Sequence, residues 1–373
     1  MRIGVLGAGQ LGRMLALAGY PLAQTFVFHD LSGAPSAGIG AVIVDPQASR
    51  IDEFLDQVDV VTYEFEHLPV EQVRHIEQRK PLYPSAEAIR VCQNRAEEKA
   101  LLTRLAIPVP AYRIVDSAEA LAEAARELGC PVVAKSITEG YDGKGQAVLR
   151  QPDDAAQAWA RIGHAQLIVE AFVNFRREVS IIAARSRSGE IRFYPMAENV
   201  HVDGILRYSI APAPGLHPQT QETAEHYMRS LLSELNYVGV LALELFETDQ
   251  GLLANEMAPR VHNSGHWTQN GAPASQFENH LRAICDWPLG DTQALKPTCM
   301  INIIGEPGDT AALLRLPYAH LHLYDKAPRA GRKLGHINVT ADTYQELVWR
   351  TRNVASLLPG CPELRTSLDV RPG

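Results

Sequence analysis

The sequence predicts a mixed fold, which is α/β in its N-terminal part and α+β beyond it. Strands alternate with helices over the first 95 residues, and this pattern indicates a parallel sheet covered on both faces. A smaller group of strands and helices follows, then a hairpin over residues 238–257, and short strands again after Pro288. We therefore predict three domains, over residues 1–95, 96–290 and 291–373, with a small lid subdomain at about 111–175 inside the second.

The N-terminal domain begins with a strand of buried type at residues 2–7. A helix follows the glycine-rich segment 7–12, because Leu11, Leu15 and Ala18 form one apolar stripe. The other predicted strands lie at residues 25–30, 41–45 and 58–63.

Start and stop signals define most of the later elements. Asn94, with Glu97 three residues on, resembles a capping box and begins a helix. Gly129 and Pro131 end another helix at Leu128. In the second domain we predict strands at 131–136, 146–150, 166–170 and 177–184 and helices at 117–128, 152–162 and 219–235. In the third we predict strands at 299–304, 320–324 and 335–340 and a final helix at 342–357.

Composition favours a folded cytoplasmic protein. Hydrophobic residues make up 46% of the chain and charged residues 21%. No apolar run approaches the ~20 residues of a membrane helix, and the chain enters a strand directly, so we expect neither a membrane partner nor a signal peptide. The five scattered cysteines favour a reducing compartment and argue against a zinc site. The net charge of −8 disfavours nucleic acid as a partner.

Two glutamates of the hairpin are candidates for a metal site. If the turn is centred near Gln250, Glu244 and Glu256 face each other on neighbouring strands. Like charges at that position repel, and a divalent cation removes the repulsion. Mg²⁺ is commonly held by one or two carboxylates together with substrate phosphates. The alternative is a solvated hairpin face with both acids in water.

The segment Gly7-x-Gly9-x-x-Gly12 matches a dinucleotide-binding fingerprint, with Asp30 placed where a ribose-binding acid is expected. A nicotinamide-dependent dehydrogenase is therefore one interpretation. The same backbone N–H groups at a helix start also suit a phosphorylated substrate. A purely structural tight turn is the third possibility.

Two more segments suggest phosphate binding. The loop over residues 140–145 holds three glycines between two apolar strands and resembles a phosphate-covering flap, with Lys135 supplying a charge from the preceding strand. An ordinary hairpin loop is the alternative. A basic cluster near the C-terminus suits either a phosphate monoester or a solvated turn, and it comprises Lys326, Arg329, Arg332 and Lys333.

A dense polar cluster follows the second hairpin strand. It contains Arg260, His262, Asn263, Ser264 and His266. The two histidines would need a helix to share a metal, and Pro259 and Gly265 argue against one. We therefore interpret His262 as a hydrogen-bonding or proton-handling group.

With these motifs in hand, the chain resembles the ATP-grasp enzymes, and within them the family of N5-carboxyaminoimidazole ribonucleotide synthases. The resemblance covers nearly the whole length. It implies an ATP-grasp domain between a Rossmann-like pre-ATP-grasp domain and a small C-terminal domain. The motifs that carry it are Gly-x-Gly-Gln-Leu-Gly-Arg-Met at 7–14, Tyr-Glu-Phe-Glu at 63–66, Gly-Tyr-Asp-Gly-Lys-Gly-Gln at 140–146, Asn-x-His-x-Asp-Gly-Ile-Leu-Arg at 199–207, Asn-Glu-Met-Ala-Pro-Arg-Val-His-Asn-Ser-Gly-His-Trp-Thr at 255–268 and Gly-Arg-Lys-Leu-Gly-His-Ile-Asn at 331–338.

The resemblance implies roles for individual residues. The ATP-binding residues would be Arg95, Lys135, Tyr141, Gly143, Gly145, Gln146, Glu170, Ala171, Phe172, Val173, Glu178, His201 and Asn255. The aminoimidazole ribonucleotide would contact Gly9, Gln10, Leu11, Glu64, Tyr141, Asp142, Arg332 and Lys333. Arg260, His262, Asn263 and Asp142 would act in catalysis, and Glu244 and Glu256 would hold Mg²⁺ or Mn²⁺. An asparagine common in the superfamily two residues after the second metal glutamate is replaced here by Ala258, as in this family.

The implied reaction is the ATP- and bicarbonate-dependent carboxylation of 5-aminoimidazole ribonucleotide through carboxyphosphate, in purine biosynthesis. A homodimer and functional coupling to a downstream mutase are implied as well. Three alternatives stay open at this point. They are another ATP-grasp ligase of purine synthesis using a different acyl phosphate, the dehydrogenase, and a nucleotide sensor without catalysis.

Overall fold

The structure, a computed structural model, describes residues 1–138, 145–163 and 165–362. The described residues form three sheets, of four, four and nine strands. Within the same residues, no helix has the length and apolar character needed to cross a membrane. The predicted combination of α/β and α+β parts is confirmed.

The first sheet is fully parallel, with its strands in the order β3-β2-β1-β4. Its central strand is buried from Ile3 to Leu6, as expected for a strand covered on both faces. The strands are β1 (Arg2–Leu6), β2 (Thr25–Asp30), β3 (Ala41–Val44) and β4 (Val60–Tyr63), and the helices are α1 (Gln10–Gly19), α2 (Ile51–Leu55), α3 (Val70–Arg79) and α4 (Ala86–Cys92).

The second sheet is antiparallel, in the order β5-β8-β6-β7. Asn94 caps α5 by accepting hydrogen bonds from the backbone of Ala96 and Glu97, so the predicted helix start is confirmed. The edge strand β5 was not predicted. The elements are α5 (Arg95–Arg104), β5 (Tyr112–Val115), α6 (Ala118–Leu128), β6 (Val132–Ser136), β7 (Gln146–Leu149), α7 (Ala155–Ile162) and β8 (Leu167–Ala171).

The third sheet has nine strands, in the order β14-β13-β9-β11-β12-β15-β17-β16, with β10 paired to β9. The strands are β9 (Arg177–Arg185), β10 (Ile191–Phe193), β11 (Ala197–Val202), β12 (Ile205–Ala211), β13 (Gly239–Thr248), β14 (Gly251–Ala258), β15 (Thr298–Ile304), β16 (Ala319–Leu323) and β17 (Lys333–Thr340). The helices beside it are α8 (Pro218–Glu234), α9 (Thr268–Gly271), α10 (Gln276–Ile284), α11 (Thr310–Leu314) and α12 (Tyr344–Ala355).

Strands on both sides of the proposed boundary near residue 290 belong to this one sheet. β12 pairs with β15, and Tyr208 lies opposite Ile301. The C-terminal strands β15, β16 and β17 therefore continue the third sheet and do not form a sheet of their own. The division of the chain at residues 95 and 290 stays a proposal based on the sequence.

The hairpin of β13 and β14 has the predicted register at its functional end. Glu244 lies opposite Glu256, so the predicted pairing is confirmed. The turn joins Thr248 to Gly251, so its centre lies half a residue before the predicted centre at Gln250. The extra residue Asn255, a bulge in β14, restores the predicted pairing of Glu244 with Glu256. Asn255 is thereby the extra residue immediately before Glu256.

A shared core joins the N-terminal domain to the large sheet. Met14 and Leu15 of α1 belong to the same buried cluster as Phe277 and Leu281 of α10. Helix α10 in turn packs on β13 and β9. This packing fixes the glycine-rich loop before α1 relative to the hairpin acids.

Candidate active site

One cavity of about 810 Å³ lies where the three sheets meet. It receives side chains from the loop before α1, from the end of β4, from α5 and β6, and from the hairpin. Sixteen residues predicted from the sequence line it, and they are Gly9, Gln10, Leu11, Glu64, Arg95, Lys135, Gln146, Glu178, His201, Glu244, Asn255, Glu256, Arg260, His262, Asn263 and Lys333. Residues predicted from distant parts of the sequence are therefore brought into one site.

The two hairpin acids create a local excess of negative charge. Burial, and then the charge of Glu256, raises the pKa of Glu244 to about 7. A third acid lies near them: burial and then the same Glu256 raise the pKa of Glu98 to about 8, while its carboxylate accepts a hydrogen bond from the backbone of Met257. The predicted residues did not include Glu98, which is on α5 and faces the hairpin.

These acids fit a hard divalent cation. Their oxygen donors are those Mg²⁺ prefers, and a like-charged buried pair is stabilised by a cation or by a proton. The buried Oδ1 of Asn255, the bulge residue directly before Glu256, has no hydrogen-bond partner and adds an oxygen to the same wall. In the described part of the chain, no cluster of three or more acidic, histidine or cysteine side chains is arranged to hold a metal ion.

Arg260 is fixed by an acid that the sequence had not assigned to the site. Its Nε and Nη2 donate to the two carboxylate oxygens of Glu66, the second at 3.0 Å. Burial opposes the ionisation of Glu66, but the charge and hydrogen bonds of Arg260 outweigh it and lower the pKa of Glu66 to about 2. This two-point contact orients the guanidinium plane in the cavity wall.

His262 is neutral and has a defined orientation. Its Nδ1 lies 2.9 Å from the Ser264 hydroxyl, which accepts a hydrogen bond from Ser180 and thus has its own proton to donate. The proton of the ring is then on Nε2, which lies 3.2 Å from the Glu244 carboxylate. Burial, and then the charge of Arg260, lowers the pKa of His262 to about 3. His262 is therefore an N–H donor at neutral pH.

The two histidines of this segment both line the cavity but have different hydrogen-bond partners. Asn263 to Gly265 form a 3₁₀ turn and not an α-helix, as we expected from Pro259 and Gly265. His266 is turned toward Gln276, whose side-chain nitrogen lies 3.1 Å from its Nδ1, and its ring lies 4.8 Å from that of His336. The Asn263 amide exchanges two hydrogen bonds with Asn302, at 3.1 and 2.8 Å.

The part of the cavity lined by β6, β9 and β11 contains charged pairs. The Lys135 ammonium donates to Glu170 at 2.7 Å, and Arg95 donates to the carbonyl of Ser136 at 3.0 Å, next to the end of β6. Across the cavity, His201 lies 2.9 Å from Glu178. Burial opposes protonation of His201, but Glu178 and Glu244 outweigh it and raise the pKa of His201.

The glycine-rich loop binds an anion of the protein itself. The backbone nitrogens of Gly9 and Gly12 donate to the two carboxylate oxygens of Glu64, the latter at 2.7 Å. A Cβ at Gly9 would lie 2.8 Å from Glu64 Oε1, so only glycine permits this approach. Burial raises the pKa of Glu64, and these two hydrogen bonds oppose that rise. The predicted N–H groups thus contact Glu64 directly.

Further contacts complete this end of the cavity. The Lys326 ammonium donates to the Gln10 side chain, so one member of the basic cluster reaches the loop.

Asp30 accepts a hydrogen bond from Ser32 at 2.8 Å and is not among the residues that line the cavity. The dehydrogenase interpretation therefore loses its ribose-binding acid.

Some predicted residues are elsewhere. Glu170 is buried behind Lys135, Phe172 is 54% exposed, and Arg332 donates to the Ala327 carbonyl. Tyr141, Asp142 and Gly143 lie outside the described residues. The remaining predicted residues that do not line the cavity are Gly145, Ala171 and Val173. Lining residues absent from the predictions include Glu66, Glu98, Phe246 and Tyr324.

Family models match most of the chain in three segments. An ATP-grasp domain matches residues 100–277, a ribonucleotide synthetase preATP-grasp domain matches 1–93, and a phosphoribosylaminoimidazole carboxylase C-terminal domain matches 298–350. The fold and the cavity, with its acids on one hairpin, therefore define an ATP-grasp ligase.

Close relatives identify the family. The chain is 47% identical over 361 residues to the N5-carboxyaminoimidazole ribonucleotide synthase of Pseudomonas aeruginosa. This match covers 96% of this chain and 99% of that protein. The synthase of Escherichia coli is 40% identical over 355 residues, covering 95% and 94%. The chain belongs to the N5-carboxyaminoimidazole ribonucleotide synthase family.

Solved structures agree in fold over nearly the full length. The crystal structure of N5-carboxyaminoimidazole ribonucleotide synthetase from Thermus thermophilus has a TM-score of 0.92 at 47% identity, covering 96% of this chain and 99% of that one. The synthase from Aspergillus clavatus, in complex with ADP and 5-aminoimidazole ribonucleotide, has a TM-score of 0.87 at 32% identity, covering 95% and 98%.

Proposed function

We propose that this chain carboxylates 5-aminoimidazole ribonucleotide to N5-carboxyaminoimidazole ribonucleotide, using ATP and bicarbonate and releasing ADP and phosphate. The observation that carries this proposal is the adjacency of Glu256 and Arg260 in one cavity. The acids suit the cation that accompanies a nucleotide triphosphate, and the guanidinium suits a small planar anion. The A. clavatus relative binds ADP and the ribonucleotide, which supports the same substrate class here.

Charge neutralisation is the task we assign to the hairpin. Glu244 and Glu256, with Asn255 directly before Glu256, would hold Mg²⁺ or Mn²⁺, which would offset the charge of the phosphates during phosphoryl transfer. Arg95 and Lys135 would contact the phosphates from α5 and β6. Glu178 and His201 would bind near the ribose. The segment from Glu170 to Val173 at the end of β8 would contact the adenine through the residues that follow Glu170, because Glu170 itself is buried behind Lys135.

Orientation of bicarbonate is the task we assign to Arg260. Glu66 holds the guanidinium plane, so bicarbonate meets a preformed fork and not a mobile side chain. His262 adds one N–H, because its neutral ring carries the proton on Nε2. Attack of a bicarbonate oxygen on the γ-phosphoryl group would form carboxyphosphate, and positioning with electrostatic stabilisation supplies most of the catalysis in such transfers.

The ribonucleotide would occupy the opposite end of the cavity. Gly9, Gln10, Leu11 and Glu64 form one wall there, and Lys333 faces them from β17. Arg332, Tyr141 and Asp142 are proposed to complete this site, the last two from outside the described residues. A closed site would protect carboxyphosphate from water until its carboxyl group, or CO₂ released from it, reaches the exocyclic amine.

The wider context of the reaction is also proposed. We infer a cytoplasmic homodimer that acts in purine biosynthesis and is coupled to a downstream mutase. Size-exclusion chromatography with light scattering tests the dimer, and a coupled assay with the mutase tests the transfer of product.

An assay of phosphate release tests the function. ATP, bicarbonate and 5-aminoimidazole ribonucleotide are supplied together, and each is then omitted in turn. We expect full release only with all three, and N5-carboxyaminoimidazole ribonucleotide as the product. Full release without the ribonucleotide would remove the substrate assignment, and release independent of bicarbonate would favour another acyl phosphate ligase.

A further inference from the structure

Lys99, on α5, is buried almost completely, with 1% of its side chain exposed. Lysine is rarely buried to this extent unless it is paired. Its Nζ lies 2.8 Å from the Asn255 carbonyl, 3.3 Å from the Ala254 carbonyl and 3.2 Å from Glu170 Oε1. The two carbonyls accept hydrogen bonds from the ammonium group, and Glu170 forms an ion pair with it, so Lys99 is held in a fixed position.

Glu170 lies between two lysines. Its Oε1 faces Lys99, and its Oε2 accepts a hydrogen bond from Lys135 at 2.7 Å. Burial opposes ionisation of this carboxyl, but Lys135 and then Lys99 outweigh it and lower the pKa of Glu170. The three side chains together carry one net positive charge.

The two lysines differ in what they can reach. Lys135 lines the cavity, whereas Lys99 and Glu170 do not. Lys99 is held at the backbone of β14, directly before Glu256, while Lys135 is on β6. Because Lys99 does not line the cavity, it can affect a bound nucleotide only through the groups it contacts, which are Glu170 with Lys135 on one side and the backbone before Glu256 on the other.

We propose that Lys99 is a positioning residue that keeps Glu170 neutralised while Lys135 turns to the phosphates of the nucleotide. A buried carboxylate that loses its last cation is strongly unfavourable. With Lys99 present, Glu170 keeps one cation when Lys135 moves away. Without it, Glu170 and the phosphates compete for a single lysine. This inference rests on the proposed contact of Lys135 with ATP phosphates.

The same contacts allow a merely structural role, in which Lys99 fastens the second sheet to the hairpin. The two roles differ in their ligand dependence. Loss of a fastening would disturb the whole nucleotide site, including the part that binds the nucleoside. Loss of charge balance would affect phosphate binding alone.

Calorimetric titration with two probes separates the roles. Tripolyphosphate, titrated without a divalent cation so that the acids of the hairpin do not contribute through a metal, reports on phosphate binding, and adenosine reports on the nucleoside part. For Lys99→Met we expect the Kd of tripolyphosphate to rise about tenfold or more, and that of adenosine to stay within about twofold. Lys99→Arg, which keeps the charge, is the matched control. A smaller effect on tripolyphosphate, or an equal effect on both probes, would overturn the proposal.

Two further variants complete the test. Lys135→Met must also weaken tripolyphosphate binding, and if it does not, the proposed contact of Lys135 with the phosphates is wrong. If Lys135→Met weakens binding but Lys99→Met does not, only the proposed role of Lys99 is wrong. Glu170→Gln removes the carboxylate that competes with the phosphates for Lys135, so it should not weaken tripolyphosphate binding. This variant tests the proposal independently if Lys99→Met does not fold. Weakening beyond about threefold by Glu170→Gln would contradict the proposal.

Discussion

The carboxylate of Glu64 lies 2.7 Å from the backbone nitrogen of Gly12, at the first turn of α1. The Gly9 nitrogen donates to the other oxygen of the same carboxylate. In a dinucleotide-binding domain these N–H groups would face a pyrophosphate. Here a side chain from the end of the neighbouring strand takes that place, and the loop forms one wall of the cavity.

The first prediction concerns this contact. Glu64→Gln replaces one oxygen by an NH₂ group, which would face a backbone N–H donor and leave it unsatisfied. We expect a loss of stability of about 1–3 kcal/mol and a rise of about tenfold in the KM for the ribonucleotide. Urea unfolding and steady-state kinetics measure the two effects. Glu71→Gln, on the exposed face of α3, is the control; equal behaviour of both variants would contradict the prediction.

The second prediction concerns the hairpin acids. Glu256→Gln keeps the shape of the side chain but removes one of the two opposed charges. We expect Mg²⁺-dependent ATP turnover to be lost, together with the increase in Tm that MgATP gives the unaltered protein. Asp249→Asn, in the turn of the same hairpin and exposed, serves as the control. Retained turnover in Glu256→Gln would remove the metal-site assignment.

The third prediction concerns Arg260 and its partner. Arg260→Ala removes the proposed bicarbonate contact, so we expect no formation of the carbamate product. Glu66→Gln leaves the guanidinium in place but loosens its orientation, and we expect a rise of about tenfold in the KM for bicarbonate with a smaller change in kcat. Product is measured by chromatography at saturating ATP. Near-normal product from Arg260→Ala would exclude the role.

The fourth prediction concerns pH. The pKa of Glu98 is raised to about 8 in the folded protein, above the value of about 4.3 expected after unfolding. Between these values the folded state holds a proton that the unfolded state has released, so stability falls as pH rises. Between pH 6.5 and 8, without Mg²⁺ or nucleotide, we expect a fall of about 2 kcal/mol from this residue.

Urea unfolding at pH 6.5 and pH 8 measures this fall. Glu98→Gln should have a flatter dependence because its side chain does not ionise. The pKa values of the buried His262 and His280 are lowered to about 3 and about 4, so below pH 6.5 these residues make the stability rise with pH. The comparison is therefore confined to the range from pH 6.5 to pH 8. An equal slope for both proteins would show that Glu98 is ionised throughout.

Local patterns predicted much of this molecule. The alternation of strands with helices predicted the parallel sheet, and the turn after Thr248 predicted the opposition of Glu244 and Glu256. The latter was correct because the bulge at Asn255 offsets an error of half a residue in the turn centre. The hairpin of β11 and β12 was not predicted, although Asp203 and Gly204, both with positive φ, form the Asp-Gly turn that marks such hairpins.

Long-range contacts explain what the sequence did not reveal. Lys99 follows Glu97 and Glu98 on α5 and looks like part of a solvated helix face. Its burial depends on Glu170 and on the carbonyls of β14, which are distant in the chain. Glu66 is part of a recognised motif, but only the fold brings it to Arg260.

The pairing of β12 with β15 limits how the protein can be divided. A fragment ending near residue 290 would leave β12 as an edge strand, with the N–H and C=O groups of Tyr208 and Ile210 no longer paired to Ile301 and Cys299. Such a fragment would tend to aggregate through that edge during expression. Supplying the missing strands in trans, as a separate polypeptide from residue 291, would be the way to recover a soluble product.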